Sequence, residues 1–512
     1  MELKVFRETA AAYAGRWETR LELPVETEFL IPDYQPAVFK IVKCLLEPVV
    51  LQNHLSGTRW QGEGYLRCTV YYQSDEGGSQ LYRTEQKFPF EKSAELPEGR
   101  YTEGPAQLGG QTEYLNCRAI SEHRIELRGA YQLSVAAEAA KEQPVLTSLA
   151  EAGVEQRTAV LAGCLCTAAE ERTATAEDTV DLPGAGESVL DISGSAVEGE
   201  TSLQPGQISY RGKLRMQLCY RPAGGELAGR TRDIPVTMTM ELPGALETDT
   251  PVVWVEVLSA ALSAADAGDP VLNVTWKLHA ELWRAANCTA VADAYSTLCQ
   301  TQLDRVRWQY SGPARLIAET AAAAVSDDLP DTAAEVKGCF VSLGAPGLVA
   351  DADGKTVRPG GKGTAHLLCA DERGELSCCD KVFAWQADTR LPGPPEAYLA
   401  HLCAAAAEVH AGRQGNQMKV ELGVNVSGAV FPLCRADTVD AVTLGDPLPS
   451  PSAGPALTLY FAQEGEAVFE IAKTHHARVR EVAAANRMEL AAGQSAADLK
   501  AKAGCLLIPA AL

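Results

Sequence analysis

Gly212-Lys-Leu-Arg-Met-Gln-Leu-Cys-Tyr220 decides the fold class. Leu214, Met216, Leu218 and Tyr220 fall on one face of an extended chain, and Lys213, Arg215 and Gln217 fall on the other. Side chains alternate across a strand, so such a run covers a core with one face and meets water with the other. That is the habit of antiparallel sheets. The same alternation returns over 124–133, 271–282 and 418–426. The expectation is mainly β, built as two-layer antiparallel units.

Working outward from that run, its neighbours recur. Ser188-Val-Leu-Asp-Ile-Ser-Gly194 precedes it, and Asp233-Ile-Pro-Val236 and Glu241-Leu-Pro-Gly244 follow. An earlier copy has Ala37-Val-Phe-Lys-Ile-Val-Lys-Cys44, Gly64-Tyr-Leu-Arg-Cys-Thr-Val-Tyr-Tyr72, Lys87-Phe-Pro-Phe90 and Glu95-Leu-Pro97. A later one has Ala334-Glu-Val-Lys-Gly-Cys339, Gly363-Thr-Ala-His-Leu-Leu-Cys369, Lys381-Val-Phe383 and Arg390-Leu-Pro-Gly393. Pro97, Pro243 and Pro392 stand 146 and 149 residues apart. A period that long predicts tandem domains, each with its own core, rather than solenoid repeats. The boundaries read as 20–137, 178–310 and 325–444, with an Ala/Glu/Thr-rich connecting segment over 138–177. The turns between strands are expected at 75–78 and 223–225. An Ala-rich stretch over 397–412, after Pro394-Pro395, predicts a short helix. A Pro/Gly/Ser linker over 445–456 is expected to separate the β array from the rest.

The 512 residues suit about three to four domains. Lys+Arg 45 against Asp+Glu 67 leaves a net charge of -22, which argues against a dedicated nucleic-acid binder or an anionic-membrane adhesin. The first residues lack the basic-then-apolar order of a signal peptide, and no apolar run is long enough for a transmembrane helix. Retention where the chain is made is therefore expected, with most of the 15 cysteines as free thiols or buried small apolar side chains.

Catalytic patterns are weak. Cys369, Cys378 and Cys379 lack chelating spacing, one or both of His475 and His476 are expected to face solvent, and Cys164 with Cys166 shares one strand face as core packing. Gly360-Gly-Lys-Gly-Thr364 departs from a phosphate loop, and no Gly-x-Ser-x-Gly elbow occurs. No enzyme, no cofactor and no metal site is expected.

From 457 to 510 the pattern changes to βααβ. Leu457-Thr-Leu-Tyr-Phe-Ala462 reads as a strand, Val468, Ile471 and Ala472 as one helix, Val479, Val482 and Ala483 as another, and Gly504-Cys-Leu-Leu-Ile-Pro509 as a second strand. Tyr460, Ala462, Gly465-Glu466, Val468, Ile471-Ala472, Asn486 and the run from Gly504 to Pro509 resemble a LysM domain. The resemblance implies a ligand groove between two loops, Glu464, Gly465, Glu466, Ala467 and Val468 on one side and Asn486, Arg487, Met488, Glu489 and Leu490 on the other. In that family the groove holds the N-acetyl group of a chitin- or peptidoglycan-like glycan. Two departures stand out: neither loop carries an aromatic ring to stack on a sugar, and Ala-Gly-Gln-Ser-Ala-Ala lengthens the path to Gly504. The module is neutral, with six basic and six acidic residues from 457 onward, so a protein docking face is weighed beside a glycan groove.

The three long units, their Leu-Pro marks and the phrase Ala292-Asp-Ala-Tyr-Ser296 look like SPOCS domains, once called domains of unknown function 3794. SPOCS repeats followed by LysM is the order of SipL-like sporulation proteins. That resemblance implies a protein of the mother-cell cytoplasm at the forespore outer membrane, acting in coat assembly and engulfment by binding the spore coat-anchoring ATPase. Deleting an edge strand's outward residues tests whether the β units also take strands from partners.

Overall fold

The computed structural model describes residues 3–74, 80–182, 188–222, 226–263, 269–330, 333–449, 457–490 and 494–509. Three groups of strands follow one plan. The first holds β1 (Lys4–Leu30), β2 (Lys40–Ser56), β3 (Arg59–Ser74), β4 (Gln80–Glu95), β5 (Arg100–Tyr101), β6 (Gln107–Ser121) and β7 (Arg124–Ala150). The second holds β8 (Val154–Thr179), β9 (Ser188–Gln204), β10 (Gln207–Arg221), β11 (Ala228–Glu241), β12 (Thr250–Ser263) and β13 (Val271–Ser296). The third holds β14 (Cys299–Ser311), β15 (Arg315–Asp328), β16 (Glu335–Leu343), β17 (Gly347–Ala350), β18 (Thr356–Ala370), β19 (Leu376–Gln386), β20 (Leu391–Pro392), β21 (Tyr398–Gln414) and β22 (Gln417–Pro447). The C-terminal region holds β23 (Leu457–Ala462), α1 (Val468–Thr474), α2 (Val479–Ala485) and β24 (Gly504–Pro509).

In each group the first long strand pairs antiparallel with the last: β1 with β7, β8 with β13, and β14 and β15 with β22. The inner strands make a separate sheet, β2-β3-β4, β9-β10-β11, or β18 flanked by β16, β17, β19 and β20. Apolar side chains fill the space between the two sheets of each group. In the second group, Leu214, Met216, Leu218 and Tyr220 of β10 are buried with Leu272, Val274, Trp276 and Leu278 of β13, as the alternation predicts. Leu96, Leu242 and Leu391 are all buried, which explains the spaced Leu-Pro marks. Leu96 N–H donates to Thr58 at 2.7 Å and Leu242 N–H to Gly206 at 2.8 Å, and the proline that follows has no donor with which to extend the ladder. A second recurring mark lies where the outer sheet ends: Ile31, Leu182 and Leu329, each followed by proline in the sequence, are also buried.

The long strands do two jobs. Their inner halves belong to the two-layer units, while their remaining halves project as two-stranded stems. The three stems meet: Ala12, Val145, Leu161, Ala290 and Trp308 form one shared apolar cluster, and Leu146, Leu149, Val291, Ala294 and Val439 form the next. An irregularity marks each joint. Ala14 is an extra residue in β1 and Thr167 in β8, and Gly312-Pro313-Ala314 separates β14 from β15. An extra residue bends a strand, and Pro313 lacks the N–H that an unbroken ladder needs. Residues 138–177, read from composition as a connecting segment, run through the stem of β7 and along β8.

The Ala-rich stretch over 397–412 is not a helix. Apart from one 3-10 turn at Pro395–Ala397, it is strand β21, paired with β22 from Tyr398↔Pro432 to Gln414↔Gln417. Alanine's helix preference is a few tenths of a kcal/mol per residue, and a ladder along the longest strand of the chain outweighs it. The turns expected at 75–78 and 223–225 lie outside the described residues, as does most of the linker, 450–456.

Gly428 in β22 has φ +131°, and a Cβ there would stand 2.0 Å from the carbonyl oxygen of His401. Gly428→Ala is expected to cost about 2–4 kcal/mol in chemical denaturation, from strain and lost β21–β22 pairing. Gly412→Ala, where a Cβ meets nothing within 4 Å, is the control and should leave the midpoint in place.

Candidate functional site

The C-terminal region folds as its pattern predicts. β23 pairs antiparallel with β24 from Leu457↔Pro509 to Ala462↔Gly504. Val468, Phe469, Ile471, Ala472, Val479, Val482 and Ala483 from the two helices close over Leu506 and Ile508. The helices are seven residues each, too short to stand alone, and this apolar core is what holds them.

The first candidate loop is braced from within. Gly465 takes the left-handed conformation that its turn needs (φ +82°), and its N–H donates to Ala501 at 2.9 Å. Ala501 N–H donates back to the Glu466 carbonyl at 2.8 Å, and Val468 N–H donates to Leu499 at 3.0 Å. The Glu466 carboxylate accepts from the Tyr460 hydroxyl at 2.6 Å and from Gln463 N–H at 3.1 Å. Those two bonds hold its carboxyl below the ordinary range. Glu464 accepts from Ala503 N–H at 2.9 Å. Val468 is fully buried and Ala467 half-buried.

The second loop is fixed by Asn486. Its Nδ2 donates to Val482 and Leu507 carbonyls, both at 2.7 Å, and its Oδ1 accepts from Leu507 N–H at 2.7 Å, tying the end of α2 to β24. Arg487 follows in the left-handed region (φ +50°), and Met488 packs on the core. Of the ten residues read as lining a groove, seven therefore build the loops: Glu464, Gly465, Glu466, Ala467, Val468, Asn486 and Met488. Glu464, Gly465, Arg487, Glu489 and Leu490 are exposed. The inserted stretch lies partly outside the described residues, at 491–493.

The start of α1 and the end of α2 carry these loops, at the end of the helix pair remote from the connecting turn at 475–478. That turn is occupied. The Tyr295 hydroxyl donates to the Ala477 carbonyl at 2.7 Å, and its ring meets Phe469 edge-on with centroids 5.2 Å apart. Burial pushes the Tyr295 phenol up from its ordinary value. Lys473 Nζ lies 2.6 Å from the buried carboxylate of Asp293, which also pairs with Arg305 at 2.9 Å. Arg157 pairs with Glu470 at 3.1 Å and lies over the Phe469 ring. His476 is exposed, as expected of at least one of the pair, and its Nδ1 stands 3.3 Å from the Ser296 carbonyl.

The module is thus seated on the stem tip of the second group, not held apart from the β array. Asp293 and Tyr295 belong to Ala292-Asp-Ala-Tyr-Ser296. Nothing in the spacing of that phrase announces a docking platform. Asp293→Asn is expected to weaken the seat by about 1.5–3 kcal/mol, the worth of charge-assisted bonds. Faster hydrogen exchange over 468–485, with β23 and β24 unchanged, would register it.

The architecture defined here is mainly β, with several antiparallel sheets and a small C-terminal region bearing two helices. Set against family models, curated proteins and solved structures, the chain finds no match in any of the three.

Proposed function

We propose that the chain is a non-enzymatic adaptor of endospore formation, made of three tandem two-layer SPOCS-like β domains and a LysM-like module. In this reading it works in the mother-cell cytoplasm at the forespore surface, and its module binds the spore coat-anchoring ATPase. One observation carries the proposal: the module is anchored through the helix turn and through Phe469 and Glu470 on the side of α1, while Glu464, Gly465, Arg487, Glu489 and Leu490 of the two loops stay exposed. A seated module holds its loops in one orientation, which lowers the entropic cost of engaging a partner. Leu490 is a large apolar side chain left exposed in the loop that also exposes the charged Arg487 and Glu489, the makings of a small protein contact rather than of a stacking platform for sugar rings.

The test is a titration of the full chain against the coat-anchoring ATPase and, in parallel, against peptidoglycan and chitin oligomers. Binding to the ATPase is expected, and Leu490→Asp is expected to weaken it by about tenfold, roughly 1.4 kcal/mol, without moving the melting temperature. Glycan binding without ATPase binding would instead support a peptidoglycan- or N-acetylglucosamine-binding wall or cortex protein.

A further inference from the structure

A cavity of about 600 Å³ lies where the three strand groups meet, beside the joints between stems and two-layer units. Each group contributes to its wall: Tyr13 and Glu138 from the first, Glu281 and Trp283 from the second, Tyr310 and His401 from the third. His401 is 5% exposed. Its Nδ1 faces both oxygens of Glu281 at 2.9 Å. Its Nε2 stands 3.3 Å from Glu138 but makes no hydrogen bond there, so this buried ring nitrogen lacks a hydrogen-bond partner. Flanked by two carboxylates, the ring is an imidazolium and Nε2 carries a proton.

Such a donor is costly to leave unused, and a cavity beside it has room for an acceptor. The charges in the floor cancel: Glu138 and Glu281 are balanced by His401 and by Arg16, which pairs with Glu138 at 2.9 Å. A charged guest seated on this floor, below the rim, would lose its hydration and find every floor charge already paired. Between this buried floor and a rim that carries the exposed Arg100, Glu103, Lys141, Glu142 and Glu170, the walls include aromatic rings and alanine methyl groups, and the volume lies within the range of about 300–1,000 Å³ common to small-molecule sites.

We propose that this cavity binds a small uncharged molecule with a ring-shaped apolar body and a hydrogen-bond-accepting oxygen, which takes the free N–H of His401. The site is independent of the C-terminal module and of its partner.

The experiment uses the full chain and three probes of one shape: benzamide, benzoate and benzylamine, uncharged, anionic and cationic. Binding is read by ligand-detected NMR and by the shift in melting temperature. Benzamide is expected to bind saturably, with the charged probes weaker by about tenfold or more. Ala140→Phe, on the same face of β7 as Glu138, should abolish benzamide binding by filling the cavity. Thr102→Phe, another lining position just past β5, serves the same end should Ala140→Phe fail to fold. Absence of saturable benzamide binding, binding that persists in a folded filled variant, or preference for a charged probe would each overturn the proposal.

Discussion

His401→Ala is expected to be among the most damaging single substitutions in the chain, costing about 3–5 kcal/mol, because it strands the buried carboxylate of Glu281 and leaves Glu138, from another strand group, with Arg16 alone. Glu281 and Glu138 have His401 as a shared cation, and Glu281 further accepts from Trp283 Nε1 at 2.8 Å. Burial alone would lower the histidine's pKa, but the two carboxylates more than reverse this and push it up to about 10. The sign of the pH dependence follows. A group whose folded pKa lies above its unfolded value of 6.5 contributes stability that is fully present below pH 6.5. That contribution is lost as pH rises through about 10. Chemical denaturation of wild type and His401→Ala at pH 6, 8 and 10 checks it. The gap between the two should be widest at pH 6 and nearly closed at pH 10, and a gap constant across that range would refute the assignment.

Lys277→Ala is expected to cost a similar amount, about 3–5 kcal/mol, for a related reason. Lys277 is 2% exposed, an extreme position for an ammonium group. Its Nζ donates to Glu171 at 2.8 Å and reaches out of its own strand group to the Val50 carbonyl at 2.9 Å. The register of β2 against β3 slips between Val50 and Gln52, and Lys277 caps a carbonyl at that irregularity. Removing the ammonium leaves Glu171 charged and buried beside an uncapped carbonyl. The double change Lys277→Met with Glu171→Gln removes both charges and keeps the volume, so it should recover more than half of the loss. Thermal and urea unfolding of the three variants measures this. A double variant no better than Lys277→Ala would mean that the packing, not the charge pair, carries the energy.

The alternating run 212–220 was legible because β10 buries one face and wets the other, so its pattern has period two. The module was legible almost to the residue, since short elements with apolar cores and a closing proline leave little freedom in where they start and stop. Strand β21 was not. Its alanines favour a helix locally, and only the facing ladder of β22, supplied by tertiary structure, decides otherwise. The site residues divide in the same way. Asn486 stands at one of the loop positions the resemblance points to, and there its side chain clamps two carbonyls and an amide within the module. His401 was invisible, being one of eight histidines whose nearest carboxylate partner lies 120 residues away in sequence. The stems were hidden as well. Their composition is rich in alanine, glutamate and threonine because each strand must pack against neighbouring stems on one side and meet solvent on the other, and that reads as a connector.

The meeting of the stems limits how this architecture can grow. Solenoid arrays lengthen by copying a unit, since each new repeat touches only its neighbour. Here every stem packs against the others in clusters that draw on all three. A fourth copy inserted into the chain would find no open end on which to stack and would have to pry the bundle apart. Copy number is thus set by closure, and evolutionary change is channelled into the outer loops and the appended module, where additions leave the bundle undisturbed.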